Sequence, residues 1–220
     1  QAACRQALAF GLDVSGSVNA EEYQLQLKGV AAGLTSPDVT FSILTMPKFP
    51  VRLLVFEWSG QDYQRILTPW TDISNIEVLQ NLSTELRLTQ SRDAPPTTAL
   101  GKAIQTGVRY FNQQPSCWKR TLDISGDGKS NTGPPPHTVN LPEKIGDVVI
   151  NALVIGIDAT TRLSHEELSV DELATYFSNR VVAGPGAFFE IAVSLDDCEQ
   201  AMIFKLLREL ELIGLSRLSQ

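Results

Sequence analysis

The sequence predicts an α/β fold, a doubly wound and mostly parallel sheet with helices on both faces and one antiparallel edge hairpin. Three observations predict it. Strand and helix patterns alternate along the chain. The stretch Ala7-Leu8-Ala9-Phe10-Gly11-Leu12 is apolar throughout, as a strand buried on both faces must be. That stretch runs into Asp13-Val14-Ser15-Gly16-Ser17 just before a helical pattern, a strand-to-helix turn of the kind where open α/β sheets place their ligands. With 220 residues, 43% of them hydrophobic, the chain can fill one large core, and no split point is visible, so residues 1–220 are expected to form one domain.

The first strand is expected over 7–13 and the first helix over 20–34, with Tyr23, Leu27, Val30, Ala31 and Leu34 on one face. The Pro-bearing stretch 35–50 has no clear assignment. Val51 to Trp58 reads as a strand and Gln64 to Thr68 as its hairpin partner. Ser74 to Leu88 is helical, with Ile76, Leu79, Leu82 and Leu86 in register, and a loop Arg92–Thr98 leads to a helix over 99–112. Thr121 to Ser125 is a strand ending in Gly126-Asp127-Gly128, and a loop with Pro134, Pro135 and Pro136 leads to a short helix near 137–145. Val148 to Ile157 is a strand, and Ser164-His165-Glu166-Glu167 has the look of a capping box opening a helix to 178. Ala187 to Val193 is the last strand. Residues 196–213 form the last helix, with Ala201, Phe204, Leu207 and Leu210 inward and Lys205 and Arg208 on its outer face.

A net charge of −7 and a pI near 4.9 leave no broad basic surface for nucleic acid or anionic membranes, so nucleic acid is not expected as a partner. No apolar run reaches the roughly 18 residues that a membrane span requires. The chain starts at Gln1, which suits a mature form after signal-peptide removal, and equally a trimmed sequence. Three cysteines are too few for a disulfide scaffold and lack zinc spacing. Cys4 lies nine residues before Asp13 and Cys117 ten before Asp127. If both aspartates top neighbouring parallel strands, both cysteines sit at the bottom, about 4.8 Å apart and within disulfide range. A Cys4–Cys117 bond is therefore expected, the alternative being two free thiols in a reducing compartment. Cys198 opens the last helix, at the other end of the sheet, and is expected unpaired.

Asp13, Ser15 and Ser17 are oxygen donors, the type that hard divalent cations prefer. Two more loops should gather at the same edge of the sheet, one bringing Thr97 and Thr98 and the other Asp127. In these three loops the chain resembles the von Willebrand factor A domain family with its metal-ion-dependent adhesion site. The family's Asp-x-Ser-x-Ser matches Asp13, Ser15 and Ser17; its threonine, three residues before a helix-initial glycine, matches Thr98 because Gly101 follows; its second aspartate matches Asp127. The family often has Thr-Asp-Gly at that last motif, where this chain has Gly126-Asp127-Gly128. Ile124-Ser125-Gly126-Asp127-Gly128 and Val182-Ala183-Gly184-Pro185-Gly186-Ala187-Phe188 look like a bacterial secreted branch of unassigned function.

The resemblance covers nearly the whole chain and implies a Rossmann-like fold and a bound Mg²⁺, with Mn²⁺ or Ca²⁺ as alternatives. Asp13, Ser15, Ser17, Thr98 and Asp127 would hold the ion and leave one position open for an Asp or Glu carboxylate of a protein partner, in the periplasm or outside the cell. The function it implies is adhesive and non-enzymatic. A metal-dependent hydrolase is the alternative, with Asp123 or Asp158 as its acid or base. A regulatory or assembly module whose last helix shifts on binding is a third reading. Gly128-Lys129-Ser130 fails as a phosphate-binding loop because position 123 is Asp rather than Gly. His137 and His165 are not placed as catalytic bases. Trp58 and Trp70 flank the hairpin and are expected in the core.

Overall fold

The computed structural model describes residues 3–16, 18–156, 169–193 and 197–211. Six strands form one sheet in the order β3-β2-β1-β4-β5-β6. They are β1 (Cys4–Asp13), β2 (Val51–Trp58), β3 (Gln64–Ile73), β4 (Cys117–Gly126), β5 (Val148–Ile155) and β6 (Phe189–Ala192). Among these six strands only β2 and β3 pair antiparallel; β1 lies between β2 and β4, and β5 and β6 continue the parallel run. The carboxyl ends of β1 and β4 therefore meet at one edge. This is the expected α/β architecture, with a hairpin partner reaching Ile73 rather than stopping at Thr68.

The described helices are α1 (Ala20–Thr35), α2 (Pro37–Leu44), α3 (Ile76–Leu88), α4 (Leu100–Tyr110), α5 (Pro142–Ile145), α6 (Val170–Arg180) and α7 (Asp197–Leu210). Asn19 starts α1 by accepting from the Glu22 amide while Glu22 reaches back to the Asn19 amide, a reciprocal cap. α2 fills the stretch that carried no assignment; Pro37 in its first turn sets the helical φ there. α6 is capped by Ser169 and Glu172, while Ser164-His165-Glu166-Glu167 and Asp158 lie outside the described residues.

The sheet alternates between two cores. Leu8, Phe10 and Leu12 face α1, α2, α3 and α7, while Ala7, Ala9, Phe56 and Trp58 face α4 and α6. Trp58 is buried as expected, and the half-buried Trp70 indole donates to the Tyr110 carbonyl. At the lower edge Cys4 lies opposite Cys117 in register and the two form a disulfide, Cα to Cα 4.5 Å. Cys198 is buried and free.

Helix α7 corrects one expectation. Its buried face is Cys198, Ala201, Met202, Lys205, Leu206, Glu209 and Leu210, while Phe204 is largely exposed. Lys205 is 0% exposed. Its ammonium lies 2.5 Å from Asp123 on β4 and 2.5 Å from Glu209, and Asn151 on β5 donates to Glu209 at 2.8 Å. Two charged residues belong to the inner face, so a reading that sends all charge outward turns the helix the wrong way. Opposite them α1 comes close: a Cβ on Gly33 would sit 2.8 Å from the Met202 side chain.

Candidate metal centre

β1 ends at Asp13, whose side chain turns back on its own loop, where its Oδ1 accepts from the Ser15 amide at 2.8 Å. Gln26 on α1 donates to the Asp13 carbonyl at 3.0 Å, and Ser125 near the end of β4 donates to Gln26 at 2.7 Å. The end of β1 is thus bound to its helix and to the neighbouring strand. Gln26 and Ser125 are positioning residues that motif reading missed. The available signal was a glutamine on the apolar face of α1.

The three loops are joined by backbone hydrogen bonds. The Gly16 amide donates to the Pro96 carbonyl at 3.0 Å, and a Cβ on Gly16 would come within 2.9 Å of the Pro96 backbone. Thr98 donates through its amide to the Asn131 side chain at 2.9 Å, and its carbonyl accepts from the Asn131 amide at 3.0 Å. The second loop is thereby tied to the first and to the third. Asn131, too, carried no signal in the motif.

Asp13 and Asp127 come together across the strand ends. A Cβ on Gly126 would lie 3.5 Å from Asp13 Oδ2. Burial above all, and then the nearby Asp127 carboxylate, push the Asp13 carboxyl up to about 8. Ser15 and Thr98 are buried and Asp127 is half-buried. Ser17 lies outside the described residues.

The residues present fit a divalent cation. Asp13 Oδ2 and Ser15 Oγ are buried with no hydrogen-bond partner, an arrangement that is costly unless something unites with them. Two carboxylates crowded together add a repulsion that a cation removes. The donors are oxygens alone, as hard cations prefer. Among the described residues no three His, Cys, Asp or Glu side chains form a metal-binding group. Asp123, considered as an acid or base at this site, is instead engaged by Lys205 on the α7 side of the sheet.

Beside the loops a cleft of about 450 Å³ opens, lined by Ser15, Gly16, Asn19, Tyr23, Glu57 and Arg92 among others. Glu57 forms its floor and is fully engaged: Tyr23 and Tyr63 each donate to it at 2.6 Å, and Arg65 pairs with it at 2.8 Å. Desolvation and this carboxylate raise the phenol of Tyr63 to about 12.

The family described as "Protein of unknown function (DUF1194)" matches residues 3–213. No curated protein matches the chain in sequence. Among solved structures, the chain is similar to proximal thread matrix protein 1 from the mussel byssus, at 16% identity and a TM-score of 0.66, covering 96% of this chain and 49% of that one. A structure of the same mussel protein with a zinc-occupied MIDAS motif gives 16% identity, a TM-score of 0.60, and coverage of 95% and 46%. A von Willebrand factor type A protein from Catenulispora acidiphila gives 13% identity, a TM-score of 0.60, and coverage of 94% and 43%. The chain spans about half the length of these structures, and the likeness shows a fold of the von Willebrand A type.

Proposed function

The chain belongs to the DUF1194 family, and from that premise we propose that it is a divalent-cation-dependent interaction module that binds a protein partner through an acidic side chain. The observation that carries this reading is the pair of unpartnered buried oxygens, Asp13 Oδ2 and Ser15 Oγ, beside a second carboxylate. Asp13, Ser15, Thr98 and Asp127 would hold the ion, and the motif adds Ser17. A cation bound there would supply a Lewis-acidic centre. The Asp13 and Asp127 carboxylates would offset its charge, and the ligand such a centre would take from a partner is an Asp or Glu carboxylate. The zinc-occupied MIDAS motif of the mussel protein supports divalent-metal binding for this fold.

The module spans residues 1–220 as one unit and acts without turnover, in the periplasm or outside the cell. The buried disulfide supports that setting. Among the described residues no helix is long and apolar enough to cross a membrane. The hydrolase alternative loses one of its two candidate groups, because Asp123 is held by Lys205.

Calorimetric titration of Mg²⁺, Mn²⁺ and Ca²⁺ into chelator-stripped protein tests this reading. One saturable site per chain, lost in Asp127→Ala, is the expected result. No binding of any of the three ions to the unaltered protein would overturn it.

A further inference from the structure

The cleft beside the metal centre has a chemistry of its own. Its wall begins at Ser15 and Gly16, passes Asn19 and Tyr23, and ends at Ser91, Arg92 and Asp93 in the loop before α4. Hydrogen bonds to its backbone fasten that loop at both ends. Gln24 donates to the Thr89 carbonyl at 2.8 Å, and the Gly16 amide donates to Pro96 at 3.0 Å. Arg92 is exposed on this wall and forms no ion pair among the described residues. The floor neither repels nor recruits an anion. Glu57 is neutralised by Arg65, and both its oxygens are occupied by tyrosine hydroxyls.

We propose that this cleft is a second recognition subsite, and that the partner segment is doubly acidic, with one carboxylate at the metal centre and another held by Arg92. The inference rests on the metal-centre reading above. The charge argument is direct. Asp13 and Asp127 already balance a divalent ion, so the partner's first carboxylate leaves the centre one negative charge in excess. A second carboxylate needs its own cation, and Arg92 is the guanidinium on the cleft wall, suited to two-pronged carboxylate binding. Asp93 lines the same cleft and opposes the interaction. An extended segment rises about 3.3 Å per residue, so the second acid falls one to four residues from the first for a cleft of this size.

The test uses end-capped glycine peptides labelled with an uncharged BODIPY dye, with Mg²⁺ present. One carries a single glutamate and the others carry two, separated by zero to three glycines. Anisotropy gives the affinity ratio of each two-glutamate peptide to the single one. Two equivalent glutamates yield a ratio of two by counting alone. A ratio of about ten is expected at the best spacing, the extra factor of about five being that of one partly exposed ion pair. Arg92→Ala should return it to about two, and Asp93→Asn should raise it, with calorimetric Mg²⁺ affinity unchanged in both. A ratio of two at every spacing, or a high ratio untouched by Arg92→Ala, overturns this inference and leaves the metal-centre reading standing. Metal uptake without peptide binding overturns it together with the acidic-partner reading. No metal uptake overturns the metal centre itself and the subsite with it.

Discussion

Gly101 bears on which of two adjacent threonines would serve the proposed metal centre. A Cβ there would lie 1.9 Å from the Pro134 carbonyl oxygen, so the first turn of α4 sits against the backbone of the proline loop. This contact sets the approach of Thr98, whose backbone is bound to Asn131. Thr97 is exposed, its hydroxyl against the turn at Gly60. Gly101→Ala must push two backbones apart, and urea unfolding should show a loss of at least about 1–3 kcal/mol. Mg²⁺ affinity should fall with it, because Thr98 moves. Thr98→Ala is the contrast: weaker Mg²⁺ binding by calorimetry, with stability changed by less than about 1 kcal/mol. Equal effects of Thr97→Ala and Thr98→Ala on metal binding would refute the assignment.

Helix α7 is held in register by charge. Lys205 lies between Asp123 and Glu209, and Lys119 also donates to the Glu209 carbonyl at 2.6 Å. Lys205→Met leaves two buried carboxylates without their cation and should cost about 3–5 kcal/mol in chemical denaturation. Neutralising all three, with Lys205→Met, Asp123→Asn and Glu209→Gln, should recover much of that loss. A single change within 1 kcal/mol of the parent would mean the triad is unimportant to stability. One lysine balances one of the two carboxylates, and burial, followed by the repulsion of Glu209, raises Asp123 to about 7 despite its lysine. The folded state therefore binds a proton more tightly than the unfolded chain, whose aspartate titrates near 3.9. That increment of stability is full below about pH 4 and is lost as pH rises to about 7. Thermal unfolding across this range should show the decline, and Asp123→Asn should flatten it. A regulatory shift of α7 would have to break the Lys205–Asp123 contact.

Across the whole molecule the candidate metal centre and the disulfide occupy opposite ends of the same two strands. Asp13 tops β1 and Asp127 follows β4, while Cys4 and Cys117 join their other ends. The bond closes a separation of 113 residues, so its removal should be costly. Replacing both cysteines by alanine should lower stability by about 2–5 kcal/mol while Mg²⁺ stoichiometry stays at one per chain. Loss of metal binding in a variant that still unfolds cooperatively would show that the two ends are coupled.

Strand order along the chain, the turn Asp13–Ser17 and the cysteine spacing were all readable in one dimension. Each depends on local periodicity or on counting residues along extended strands, whose rise is nearly constant. The disulfide followed from that constancy once Asp13 and Asp127 were placed at the tops of neighbouring parallel strands. The inner face of α7 was not readable, because whether a lysine faces water or a buried aspartate depends on Asp123, which lies 82 residues earlier in the chain. The same holds for Gln26, Ser125 and Asn131, ordinary polar residues until folding sets them against the loops of the candidate metal centre. The cleft at Arg92 exists only where the ends of β1, β2 and the loop before α4 meet. Local chemistry marks where oxygen donors gather; long-range packing determines which side chains position them and what lies beside them.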